Sequence, residues 1–196
     1  MSSKVEIVNL ALSKLGQRPI SSLEENTVAA RSAALVYDSV RRQVLQSFSW
    51  AFAVRSEKLQ LKASVPVDYR YAFQLPVDFL RAITLNTPVQ TNVGGVSEEN
   101  RKQYVIRGRE LLANAPVVVL EYVADITDES LFDSKFTEAF VLKLASELAV
   151  PVGGKTDLLN AYNQQYEYQV RHSAAQSEKQ FYEEQCSNPY LAARFY

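Results

Sequence analysis

The sequence has a single cysteine, Cys186, so no disulfide can form within the chain and a disulfide framework is excluded. It also has a single histidine, His172, and neither residue has three suitable neighbours for a side-chain zinc site. Neither charge is in surplus: Lys and Arg number 21 against 22 for Asp and Glu, a net charge of -1. The chain therefore lacks the basic field that sequence-independent binding to phosphate requires. No apolar run approaches the roughly 20 residues of a membrane-spanning helix, since even the densest, from Pro116 to Val123, is interrupted by Glu121. Nothing near the start combines a basic stretch, an apolar run and a small-residue cleavage site. These absences predict a soluble chain of a reducing cytoplasm, or of something assembled there.

What is present is an apolar fraction of 47% against 22% charged residues, enough for a core within one globular domain, or one domain with an appendage. Val5, Val8, Leu12 and Leu15, joined by Ile7 and Ala11, recur at three- and four-residue spacing and stop at Gly16. That predicts a short amphipathic helix with a glycine stop. Beyond Pro19, Asn26 or Thr27 is placed to cap a longer helix. Its apolar seam reads Val28, Leu35, Val36, Val40, Val44, Leu45 and Phe48, with Arg31, Asp38, Arg41 and Arg42 on the far face. Helical spacing returns at Phe136, Phe140, Leu144 and Leu148, with Asp133 or Ser134 to cap and Pro151-Val152-Gly153-Gly154 to stop.

A last helix is predicted from near Thr156 to about Gln185. Leu158, Leu159, Tyr162, Tyr166 and Val170 give it an apolar stripe, while Asn163, Gln164, Gln165, Gln169 and Gln176 make the remainder polar without strong charge. Such a helix suits packing against other subunits or lining a wet channel, although a plain surface helix is commoner. After Cys186 the tail holds Tyr190, Leu191, Phe195 and Tyr196 beside Asn188-Pro189, a density of aromatics unexpected at a terminus that otherwise frays.

Between the second and third helices the period changes to two. Trp50, Phe52 and Val54 alternate with smaller residues, as do Tyr69, Tyr71, Phe73 and Leu75, which predicts two strands. Three more lie around Phe79 to Leu85, Tyr104 to Ile106 and Val117 to Tyr122, the first two joined by a polar loop, residues 87–103, containing Gly94 and Gly95. The expected fold is α+β: a helical bundle of about four helices with a small antiparallel β-sheet inserted between helices two and three.

Candidate chemistry is sparse. Gly153-Gly154-Lys155-Thr156 is like the second half of a P-loop, whose backbone N–H groups and lysine cradle phosphate. The motif's first glycine would fall at Ala149, and the segment follows a helix where a P-loop follows a strand, so it reads as a helix-to-helix turn. Asp125, Asp128, Glu129 and Asp133 lack the alternate spacing, central glycine and closing glutamate of an EF-hand. They read as a strand exit followed by helix-capping acids. His172 has no G-x-S-x-G turn to supply a nucleophile, and Glu183 and Glu184 beside Cys186 disfavour the thiolate that cysteine catalysis needs. Trp50, Phe52, Tyr69, Tyr71 and Phe73 could form a base-stacking platform. Basic residues interleave only as Arg55 and Arg70, however, and cross-strand core packing accounts for aromatics at this period. No catalytic, cofactor-binding or metal residue is assigned.

Several segments in order carry a resemblance. A-L-S-K-L-G at 11–16, P-I-S-S-L-E-E at 19–25, and A-A-R-S-A-A-L-V-Y-D-S-V-R-R-Q-V-L at 29–45 are followed by F-S-W-A-F-A at 48–53. Y-A-F-Q-L-P-V-D-F-L-R follows at 71–81, then V-V-L-E-Y-V-A-D-I-T-D, F-D-S-K-F-T-E-A-F and L-A-S-E-L-A-V-P-V between 118 and 152. Over about residues 5 to 170 the chain resembles the tail tubular protein A family, head-to-tail adaptors of short-tailed bacteriophages. The resemblance implies a non-enzymatic subunit of the virion's head-tail junction, assembled in the host cytoplasm. It implies a dodecameric ring of copies that docks on the portal protein, continues the channel for double-stranded DNA without binding it specifically, and offers a platform to the next tail component, a nozzle or tail tube protein. Neither a cofactor nor a membrane is expected.

On this reading residues 1–185 form a single adaptor domain, with helices about 4–15, 27–48, 134–149 and 156–185 and a β insertion about 50–123, and 186–196 form a docking tail. Tyr162, Tyr166, Gln169, Tyr190, Leu191, Phe195 and Tyr196 are the candidate subunit and portal contacts, because tyrosine buries apolar area while its hydroxyl still finds a partner. A competing class is a phage-encoded cell-wall hydrolase or nuclease, for which Glu24, Glu25, Asp125 and Asp128 are the available carboxylates. A third is a sequence-independent nucleic-acid-binding module, marked by steep salt dependence.

Overall fold

The computed structural model describes residues 3–63, 67–86, 104–154 and 156–187, with the side chains of the last helix as far as Ala175. The loop 87–103, Lys155, the side chains of Gln176 and Cys186, and Tyr190, Leu191, Phe195 and Tyr196 lie outside the described residues. The chain is α+β and divides into two compact units. One is helical, Met1–Phe48 with Asp128–Tyr196; the other is Ser49–Thr127 and holds the strands.

The helical unit contains α1 (Lys4–Lys14), α2 (Val28–Ser47), α3 (Ser134–Gly153) and α4 (Thr156–Ser187). Each of the first three starts on a side-chain cap, which satisfies backbone donors that have no partner inside the helix. Ser3 and Glu6 form a reciprocal capping box on α1, Thr27 accepts from the Ala30 N–H on α2, and Asp133 accepts from the Phe136 N–H at 2.7 Å on α3. Thr27 and Asp133 are thus the caps, rather than their neighbours Asn26 and Ser134. At the end of α1, Gly16 takes φ 69°, while its N–H reaches the Ser13 carbonyl and that of Gln17 reaches Leu12, both at 3.0 Å. This is a Schellman stop, which needs the left-handed residue glycine supplies. Asn9 then pins the exit, donating to the Ile20 carbonyl at 2.9 Å and accepting from the Ile20 N–H at 2.8 Å.

Two helices differ from the sequence reading. On α2 the buried side is Ala30, Ala33, Tyr37, Val40, Arg41, Val44 and Leu45, whereas Val28 and Leu35 are exposed, Leu35 by 83%. The true seam is rotated because two alanines, rather than the larger Val28 and Leu35, meet the neighbouring helices. The rotation carries Arg41 inward, its Nε 3.5 Å from Asp38. Helix α3 runs through Pro151 to Gly153 instead of stopping near 149, and Gly154 terminates it in the left-handed conformation. Gly153 is therefore the last residue of α3, and Gly154 opens the connection to α4. Phe136, Phe140, Leu144 and Leu148 are all buried, as are Ala139, Ala145 and Ala149, so α3 is the central helix of its unit.

The β unit opens with a correction. Trp50, Phe52 and Val54 do not lie on one strand, because Ala51–Ala53 form a 3-10 turn closed by the Ala53 N–H on the Trp50 carbonyl at 2.8 Å. The strands are β1 (Val54–Lys58), β2 (Gln60–Leu61), β3 (Tyr71–Gln74), β4 (Phe79–Asn86), β5 (Tyr104–Arg107), β6 (Glu110–Ala113) and β7 (Val119–Ala124). Tyr69 falls just before β3. All pairings are antiparallel, in two sheets ordered β1-β7-β4 and β2-β3-β6-β5. The chain passes from one sheet to the other at Leu59, which is buried and donates its N–H to the Val118 carbonyl. Gly108, at φ 60°, opens the two-residue turn between β5 and β6, where a type II′ hairpin takes glycine.

Candidate functional site

The helical unit's polar residues work mainly to fix α4 against α1 and α3. Lys143 on α3 is nearly buried, and its Nζ donates to the Asn163 side-chain Oδ1 at 3.0 Å, pairs with Glu147 at 3.0 Å and sits 5.9 Å from the centre of the Tyr166 ring. The Ser146 hydroxyl adds a contact to Asn163 at 3.1 Å. A buried cation is tolerated only when it is paired and hydrogen-bonded, and this cluster supplies both.

The three described candidate contacts face this frame. The Tyr162 hydroxyl donates to the Lys14 carbonyl at 2.6 Å, satisfying an acceptor at the end of α1. Tyr166 is half-buried, and burial pushes its hydroxyl above the usual tyrosine pKa. The Gln169 amide donates to Glu138 at 3.0 Å. All three are engaged within their own protomer. The outward face of α4 is instead Ala161, Gln164, Gln165, Tyr168 and His172, with Tyr168 70% exposed and its ring stacked on His172 at 6.0 Å. Tyr168 lies off the apolar stripe, three residues from Gln165 and four from His172.

Two adjoining open grooves run along these helices. The first, about 620 Å³, lies between α1 and the first half of α3, with Leu10, Ser13, Phe132, Thr137 and Val141 on its walls. Leu10 is 47% exposed there. The second, about 530 Å³, continues past Leu142 to Ala161, Gln165 and Tyr168 on α4. Lys14 and Glu138 border both.

Of the four carboxylates weighed for hydrolysis, those of Glu25 and Asp128 serve local structure. Glu25 accepts from the Ser21 and Ser22 N–H groups, and Asp128 accepts from the Ser130 hydroxyl and N–H at 2.6 and 2.9 Å. Those two bonds hold the Asp128 carboxyl below the usual carboxylate range. Asp125 follows β7 and donates its N–H to the Asp78 carbonyl. Among the described residues no three His, Cys, Asp or Glu side chains come together to hold a metal, and no helix is long and apolar enough to cross a membrane. Of the proposed stacking aromatics, Trp50 and Phe73 are buried.

The model of the tail tubular protein family matches residues 5–120, more than half of the chain. The chain belongs to the tail tubular protein family and is a structural tail component of a phage virion. No curated protein matches it.

Proposed function

We propose that the chain is the head-to-tail connector subunit of its phage. Copies form a ring, dodecameric on the family resemblance, that docks on the portal protein, continues the DNA channel and presents a platform to the next tail component. The observation that carries this reading is the family match over 5–120. The polar outer face of α4 and the net charge of -1 support it, because a channel wall along which DNA slides must not gather phosphate-neutralising cations. In this reading 186–196 is a docking tail.

The test is the mass of the purified chain alone and with its portal protein. A ring formed on the portal is the expected result, together with weak DNA affinity in the isolated chain. A chain of unchanged mass in both conditions overturns the reading.

A further inference from the structure

The open groove of about 620 Å³ between α1 and α3 has apolar walls at Leu10, Phe132 and Val141. We infer that it receives residues 188–196 of a second copy of this chain, with the tail of one protomer seated between α1 and α3 of another. This deepens the proposed assembly role and rests on several copies coming together.

Chemistry is the first argument. The groove offers Leu10, Phe132 and Val141 as apolar walls, with Glu138 and Lys14 at its rim. The tail offers Tyr190, Leu191 and Phe195 as apolar anchors and places Arg194 next to Phe195. Aromatic anchors in a desolvated pocket carry much of the energy of an interface. An arginine beside the anchor meets Glu138, the carboxylate on the groove's edge, and charge complementarity of this kind fixes orientation.

Reach is the second argument, and it selects another copy over the same protomer. Helix α4 runs antiparallel to α3, because Asn163 meets Lys143 and Ser146 while Gln169 meets Glu138. From Gln169 the helix continues to Ser187, carrying the chain about 27 Å past Glu138 at roughly 1.5 Å per residue. The remaining residues, 188–196, span at most about 32 Å when fully extended. Returning to the groove of the same protomer would use nearly that whole length, leaving nothing with which to reverse direction or place Phe195 beside Leu10. The helix projects the tail away from its own groove and toward a neighbour.

The test uses full-length protein. Two single-cysteine variants, Leu10→Cys with Cys186→Ser and Phe195→Cys with Cys186→Ser, are mixed before assembly, alone and with the portal protein, and then oxidised. The expected product is a disulfide-linked pair containing one of each variant. Glu138→Lys should lower its yield several-fold, and adding Arg194→Glu on the tail should restore it. Assembly on the portal without the linked pair overturns this inference and leaves the connector reading standing. A linked pair without any portal complex supports the inference and removes the connector reading. In a third variant carrying both Leu10→Cys and Phe195→Cys with Cys186→Ser, a bridge that forms only within one chain shows the tail in its own groove and overturns the inference, as does the absence of any bridge between the two single-cysteine variants.

Discussion

In the helical unit α3 is enclosed on nearly every side from Phe136 to Ala149, whereas in the β unit burial changes strand by strand. β7, at the centre of the three-stranded sheet, buries Leu120, Tyr122, Val123 and Ala124. Its neighbours are weaker: β1 exposes Arg55, Ser56, Glu57 and Lys58, and β4 pairs with two register shifts. Charged edges and bulges of this kind discourage pairing with another chain. Ordered assembly surfaces are therefore better sought on the helices, where the grooves lie, than along β1 and β4, the edges of this sheet. The same contrast predicts where substitutions are felt.

The largest expected effect is at Phe140, fully buried on α3, whose ring meets Tyr37 at 5.0 Å and Phe136 at 5.7 Å. Phe140→Ala should cost about 3–5 kcal/mol in denaturant unfolding, the range for emptying an aromatic core site. Phe79 on β4 is only half-buried and makes one tilted contact with Tyr122 at 5.9 Å. Phe79→Ala should cost about 1–2 kcal/mol, near the middle of single-substitution effects. Equal losses would erase the contrast between the units.

A second pair sets a buried cation against an exposed one. Lys143→Ala leaves the Asn163 oxygen without its cation in a nearly dry site, for an expected loss of about 1–3 kcal/mol. Arg55 meets Asp78 at 2.5 Å, but its side chain is 54% exposed, so Arg55→Ala should cost no more than about 1 kcal/mol. Chemical denaturation of both variants decides the matter. An Arg55 effect as large as that of Lys143 would mean the charged edge of the sheet is more than solvated.

The contrast also governs what could be read from the sequence. The four helices were legible because helix periodicity and caps are local: Gly16, Thr27 and Asp133 sit where side-chain chemistry places them. The errors arose where tertiary contact overrides pattern. Alanine carries little weight in a periodicity count, so Ala30 and Ala33 lost the seam of α2 to Val28 and Leu35. In the β unit, Trp50 and Phe52 alternate like a strand, yet the Ala53 N–H closes a turn instead. The two-residue strand β2, and β6 with its leucine pair Leu111 and Leu112, gave no alternating signal, because their partners on β3 lie far along the chain, Gln74 from Gln60 and Tyr71 from Ala113. Tyr162, Tyr166 and Gln169 were visible as unusual residues. Which side of α4 they occupy depended on Lys14, Lys143 and Glu138, which no local pattern reports.

A smaller effect in the β unit depends on pH. Burial first, then donation of its hydroxyl to Asp78 at 3.0 Å, pushes Tyr122 in the β unit from 10.0 up to about 12. A folded-state pKa above the unfolded one gives stability that is fully present below pH 10 and lost as pH rises toward 12. Tyr122→Phe should be less stable than the parent at neutral pH by about 0.5–1.5 kcal/mol, the worth of one hydrogen bond. That gap should close between pH 10 and 12, followed by unfolding and by tyrosinate absorbance. A constant gap through this range would show that the Tyr122 hydroxyl titrates no later in the folded chain than in the unfolded one.

The smallest effect concerns two ion pairs with identical four-residue spacing. Lys143 and Glu147 on α3 approach to 3.0 Å with the lysine nearly buried, while Glu167 and Arg171 on α4 approach to 3.1 Å with side chains 62% and 80% exposed. Spacing alone would rank the second pair higher, because an acid four residues before a base is the better orientation along a helix. Exposure reverses the ranking: water screens the α4 pair, and two long side chains lose freedom to hold it. Glu167→Gln should therefore cost only about 0.2–0.5 kcal/mol and less still in high salt, whereas Glu147→Gln should cost more and vary less with salt. The comparison also bears on assembly, because Glu167 and Arg171 lie beside the outward Tyr168 and His172. If Glu167→Gln leaves the folded chain unchanged but weakens its assembly with other virion components, the outer face of α4 is a contact surface. If both stability and assembly are unaffected, Glu167 and Arg171 are solvated in the virion.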